Sequence, residues 1–271
     1  MQPSAPFAPY PHPAYRQPPP EEPPPRLRAF QAITFAFRGE DSLVSILTGV
    51  VYMMIPIVGP IALLGYQTEI FRRLARRDPR PLPKLTFAPF TAYLTRGVVP
   101  FVAQLLFALP FTFVGIFVFV SIVGATLVAS THGTGAGPAQ SAIFAAMLLP
   151  WTAMMVAWIG LAPVLQSVLT RAALTEEVAK TFDFRALLAY ARSTYWPSAL
   201  SLLAFGIFAF GLYLLGAAMC FVGIWPILLI VQIAATHLRW QTYEFYLARG
   251  GEPVPMKPEP ALPQAAWGAP G

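Results

Sequence analysis

Apolar residues gather in four long blocks that contain no Asp, Glu, Lys or Arg: 43–66, 97–130, 141–170 and 197–238. About 20 helical residues cross the hydrocarbon core of a bilayer and a charge at its centre is costly, so each block is long enough to span. The last block has 42 residues, twice one span, and the run from Cys220 to Pro226 within it, Cys-Phe-Val-Gly-Ile-Trp-Pro, suits a tight helical hairpin. The pattern predicts an all-α, polytopic transmembrane bundle of about five spans (range four to six), near 43–66, 98–129, 141–170, 197–219 and 222–242. Pro100 and Pro110 in the second block, which is too long for one perpendicular span, predict a tilted or kinked helix. Trp151, Trp158, Trp196, Trp225 and Trp240 fall mostly near span ends, where an aromatic belt would sit.

Outside the blocks the character changes. Residues 1–25 hold eleven prolines with few large aliphatic side chains, and residues 252–271 hold six. Such segments bury too little apolar surface to offset the entropy of ordering. The expected organisation is a disordered proline-rich tail over 1–26, a helical membrane domain over 27–250, and a second disordered proline-rich tail over 251–271. The first tail suits a semi-rigid spacer better than a polyproline ligand. It lacks the charged start and apolar core of a secretory signal, so insertion is expected to depend on the internal blocks.

Composition sharpens this picture. Hydrophobic residues make up 56% and charged residues 11%, against roughly 45–50% and 25% in an ordinary soluble domain. A net charge of +6 would raise nucleic acid as a partner in a soluble protein. Here the basic residues lie in loops beside apolar blocks and report orientation instead, so no nucleic-acid partner is expected. Arg72, Arg73, Arg76, Arg77, Arg80, Lys84 and Arg96, then Arg171, Lys180, Arg185 and Arg192, then Arg239, Arg249 and Lys257 all belong on the cytoplasmic side. Parity then puts the N-terminal tail outside. The broken centre Pro56-Ile57-Val58-Gly59-Pro60 allows a second arrangement, in which the first block is re-entrant and the tail lies inside. The single cysteine, Cys220, permits neither an intrachain disulfide nor a thiolate metal site.

A weak internal repeat is present. Residues 87–106 align on 184–203 without gaps, matching Phe87 with Phe184, Tyr93 with Tyr190 and Pro100 with Pro197. Residues 66–84 echo 240–257 with a short slip. The implied unit is an amphipathic interfacial helix followed by a helical hairpin whose second helix continues as a basic extension, with 28–38 as the first interfacial helix.

The stretch PIVGPIALLGYQTEIFRRLARRDPRPLPKLTFAPFTAYLTRG resembles the domain of unknown function 4013 family of multi-pass prokaryotic membrane proteins. The matching positions are Gly65, Tyr66, Arg72, Arg73, Leu82, Pro83 and Gly97, and the resemblance spans roughly 30–250. The acidic, Trp-containing stretch usual after Leu-Pro is replaced by Lys84-Leu85-Thr86-Phe87-Ala88-Pro89. The resemblance implies a helical protein of the prokaryotic plasma membrane and no particular activity.

Candidate chemistry is sparse. Gln232, Thr236, Arg239 and Tyr243 share one face of the last helix, with His237, Gln241 and Glu244 beside them. This stripe suits interhelical hydrogen bonding, with Gln104 and Gln166 as partners, or a polar path lined by Gln104, Gln166, Gln232 and His237. Arg72, Arg73, Arg76 and Arg77 are candidate contacts for anionic lipid head groups. Glu69 is placed to pair along its own helix with Arg72 and Arg73. No nucleophile triad, zinc-protease, phosphate-loop or dinucleotide motif occurs, so no enzyme activity, metal or cofactor is expected. The expected function is a non-enzymatic membrane scaffold or assembly protein, with the lipid bilayer, copies of itself or other membrane proteins as partners. A small-solute permease or channel is the alternative.

Overall fold

The computed structural model describes residues 27–39, 41–131, 138–219 and 222–258, and these form an all-helical bundle. The helices are α1 (Ala29–Phe35), α2 (Ser42–Met53), α3 (Val58–Ala75), α4 (Phe90–Thr131), α5 (Pro138–Thr175), α6 (Val178–Thr181), α7 (Phe184–Ala218) and α8 (Ile224–Ala248).

Three of the five expected spans lie on helices long and apolar enough to cross a membrane: α4 over Phe90–Gly124, α5 over Pro150–Thr175 and α7 over Phe184–Ala218. Their outer faces are bare and apolar, as at Phe113, Phe117, Val156, Leu200 and Ile207. Contiguous exposed apolar surface of this kind has no place in water and suits lipid.

The other two expected stretches are less uniform, and the first takes the broken form that Pro56 to Pro60 allowed. Block 43–66 is not one helix: α2 ends at Met53, and α3 starts at Val58 after a turn in which Ile57 has φ +63°. Pro56 supplies no N–H for a continuing helix, and a β-branched residue in the left-handed region marks a strained reversal. Gly59 fits there because a Cβ on it would stand 1.8 Å from the Tyr52 carbonyl oxygen. The segment 222–242 lies on α8, whose second half is packed with buried polar groups and is less apolar than the three long helices.

Contacts fix the directions. Gly65 meets Tyr93 and Gly97 meets Ile61, so α3 and α4 are antiparallel. Phe111 packs edge-on against Trp158 at 4.8 Å, and the Tyr195 hydroxyl donates to the Gly160 carbonyl at 3.0 Å, tying α4 to α5 and α5 to α7. Tyr190 lies 4.5 Å from Tyr246 at one end of α7–α8, and Gly216 lies against Gly223 and Ile227 at the other. The charged ends of α3, α4, α5, α7 and α8 therefore meet at one end of the bundle.

Two further expectations change. The repeat partners Tyr93 and Tyr190 are both buried, and Pro100 and Pro197 both lie inside helices. The interfacial helices expected before the second and third units are not separate, however: α4 and α7 run straight on from Phe90 and Phe184. Residues 251–258, expected as tail, form an extended strap. Gly250, at φ +79°, closes α8 by turning the chain back, with the Gly251 N–H donating to the Tyr246 carbonyl. The Tyr246 and Tyr243 hydroxyls then accept from the amides of Glu252 and Val254, and the Lys257 amide donates to the Leu174 carbonyl. The tail 1–26, Cys220 and residues from 259 onward lie outside the described residues.

Candidate functional site

The family-like motif gathers at one place. A Cβ on Gly65 would stand 1.7 Å from the Tyr93 carbonyl oxygen, and one on Gly97 1.8 Å from the Ile61 carbonyl oxygen, so α3 and α4 cross backbone to backbone. Tyr66 is fully buried, packs edge-on to Tyr93 at 5.7 Å and donates its hydroxyl proton to the Pro83 carbonyl at 2.8 Å. That bond holds the α3–α4 connection over the crossing. Leu82, one residue earlier, closes over Gly39 and joins the same core as Phe35, Tyr52 and Tyr66.

Next to the crossing lies a cluster of ion pairs. Glu69 pairs with Arg73 at 2.7 Å and with Arg96. Glu176, just past the end of α5, pairs with Arg72, with Lys257 at 3.5 Å and with Arg96 at 3.9 Å. Arg72 also donates to the Lys257 carbonyl. Four cations and two carboxylates from α3, α4, α5 and the C-terminal strap thus lock the charged end. Glu176 holds φ +50°, a conformation that favours glycine, and its ion pairs offset that strain.

The four candidate lipid contacts separate here. Arg72 is only 2% exposed and faces the cluster, so it is withdrawn as a surface contact. Arg73 is one-third exposed and engaged by Glu69. Arg76 and Arg77 are exposed, with Arg76 approaching the Met256 sulfur and Arg77 lying 3.4 Å from Glu244. At Glu244, burial raises the pKa above the ordinary carboxylate value, while Arg77 pulls it back down.

The polar stripe of α8 is used in interhelical contacts. Gln67 of α3 donates to Gln232 at 2.8 Å, and Thr236 lies 3.4 Å from Gln67. His237 stacks on Phe35 of α1 at 4.3 Å and shares a 3.1 Å hydrogen bond with Gln241. Gln241 in turn accepts from the Arg28 amide at 2.7 Å, fastening the start of α1 to α8. Gln104 and Gln166 lie on α4 and α5, and the Gln166 side-chain amide oxygen, Oε1, is buried with no partner. The four residues of the expected polar path are therefore not joined into one hydrogen-bonded set among the described residues.

Sequence reasoning missed three participants: Gln67, Glu176 and the strap at Lys257. Only Glu176 left a signal, as the first of two adjacent acids just past the end of a long apolar helix. Arg239, expected on the polar face at the cytoplasmic end of the last helix, is buried at 6% exposure.

Apolar-flanked long helices with a charged, interlocked end define the class: a polytopic helical membrane protein. The chain matches the family described as "Protein of unknown function (DUF4013)" over residues 43–221 and belongs to it. That range is shorter than the expected 30–250 and includes the whole Gly65–Gly97 crossing, but stops before α8. No curated protein and no solved structure matches the chain.

Proposed function

We propose that the protein is a non-enzymatic scaffold or assembly protein of the cell membrane, with its charged end in the cytoplasm and its exposed basic side chains against anionic lipid. The observation that carries this reading is the use of Gln232 and His237. Both polar groups on α8 tie that helix to α3 and α1, which builds a rigid platform. The bare apolar faces of α4 and α7 then offer surface to lipid or to further copies of the chain.

Substitution of Gln232 and His237 by Leu tests it in reconstituted vesicles. Loss of oligomer or of folded yield, with no solute flux in the unaltered protein, is expected. Solute flux that disappears in a variant still folded and assembled overturns the scaffold in favour of a permease. For the lipid contact, Arg76→Gln with Arg77→Gln is expected to weaken retention of anionic lipid during purification, and unchanged retention overturns it. Each basic residue near an anionic surface contributes about 1 kcal/mol.

A further inference from the structure

Inside the bundle, beneath the ion-pair cluster, lies a layer of buried hydroxyls drawn from four helices. Thr68 of α3, Ser167 and Thr170 of α5, Thr194 and Ser198 of α7 and Thr236 of α8 are all covered. Helix register brings them to the level of Arg239. Leu174, Tyr190, Tyr243 and Tyr246 share one apolar cluster, and Phe71 meets Tyr243 at 6.1 Å. One turn back from Leu174 and Tyr243 are Thr170 and Arg239. About two turns along α7 from Tyr190, which meets Tyr246, is Ser198, opposite Arg239 on the antiparallel α8.

Arg239 is nine-tenths buried, its Nε has no hydrogen-bond partner, and no carboxylate lies within ion-pair distance of it among the described residues. The Tyr190 and Ser198 hydroxyls are also buried without partners. Most neighbouring hydroxyls already donate to their own helix, as Thr170 does to the Gln166 carbonyl and Thr194 to the Tyr190 carbonyl. The groups left over in this layer are two donors, Arg239 Nε and the Trp240 ring N–H, two hydroxyls that can donate or accept, Tyr190 Oη and Ser198 Oγ, and the acceptor Gln166 Oε1, with no anion to balance the guanidinium charge. Water can satisfy a hydroxyl, but it does not neutralise a buried guanidinium.

We propose that this layer binds an oxyanion, a carboxylate or phosphate group, with the Arg239 guanidinium as its anchor and the Ser198 and Tyr190 hydroxyls as further donors. A planar guanidinium presents paired N–H donors that match two oxygens of such a group, and the hydroxyls complete its coordination. The chemistry is shared by a free small anion and by the head group of an anionic lipid. Binding here does not depend on the scaffold reading, because a site can be occupied with or without solute flux.

The test uses the full chain in neutral detergent. Inorganic phosphate and acetate are titrated separately while thermal unfolding and tryptophan fluorescence are followed, with Trp240 adjacent to the site. Saturable binding is expected, raising Tm by roughly 4 °C or more at a hundredfold excess over Kd. Arg239→Met should abolish the response and be more stable than the unaltered protein without anion. Ser198→Ala and Tyr190→Phe, which remove one hydroxyl each, should weaken affinity about tenfold. A response seen only in phosphatidylglycerol nanodiscs and not with free anions assigns the site to a lipid head group. No saturable response to any of the three, or an equal response in Arg239→Met, overturns the proposal. If Arg239→Met does not fold, unchanged affinity in both hydroxyl variants overturns it.

Discussion

Gly65 and Gly97 touch: a Cβ added to Gly97 would stand 2.9 Å from the Gly65 amide nitrogen and 1.8 Å from the Ile61 carbonyl oxygen. Two glycines separated by 31 intervening residues form one helix crossing, and backbone cannot yield as a flexible side chain can. Gly65→Ala or Gly97→Ala is expected to force α3 and α4 apart and lower stability by about 3 kcal/mol or more. Gly124→Ala and Gly211→Ala, where a Cβ meets open space, serve as controls and should be neutral or stabilising by up to ~1 kcal/mol. Thermal unfolding of the four variants in one detergent decides; equal effects at all four sites would refute the crossing.

Glu176 organises three cations from separate parts of the chain. Glu176→Gln leaves Arg72 buried without its charge partner, a change that costs about 3–5 kcal/mol. Adding Arg72→Met should restore most of that loss, since a buried pair replaced by apolar volume is often neutral. A double-mutant cycle measures it, and additive losses would show that the two side chains are not coupled.

The strap makes its own contribution. Removing residues 251–271 deletes the buried Val254 side chain and the Lys257 carbonyl that Arg72 binds. A truncation from 259 onward keeps both. The longer deletion is expected to lower Tm by several degrees relative to the shorter one, and equal melting would show that the strap carries no load.

Glu244 makes stability depend on pH with a defined sign. Its pKa in the folded chain is raised above the ordinary carboxylate value by burial, so the fold favours the protonated form. Its favourable contribution is complete below the unfolded pKa and is lost as pH rises through the folded one. Relative to Glu244→Gln, the unaltered protein should therefore lose stability as pH rises through and above the ordinary carboxylate range. Denaturation midpoints of the two proteins across that range provide the measurement; a difference that grows in favour of the unaltered protein as pH rises would reverse the sign.

Much of this was legible in the chain. Four charge-free blocks announced a helical membrane protein because bilayer thickness and the penalty for buried charge act on each segment separately. Pro56 to Pro60 marked where α2 and α3 could break, the second of the two arrangements the sequence allowed, since backbone chemistry is local. The motif glycines were visible as letters, but not as one contact.

The sequence by itself determined the class, the apolar helices and the side of the bundle on which charge collects. Only the tertiary structure decided which charges are exposed. Arg72 in the last turn of α3 and Arg76 just past its end stand one turn apart and look alike as letters, yet one is sealed against Glu176 and the other is exposed. Arg239 likewise reads as a cation near the end of the last helix, and only the packing of α7 on α8 buries it. The physical reason is that hydropathy and helix periodicity belong to a segment, whereas pairing and burial belong to the neighbours that distant segments supply.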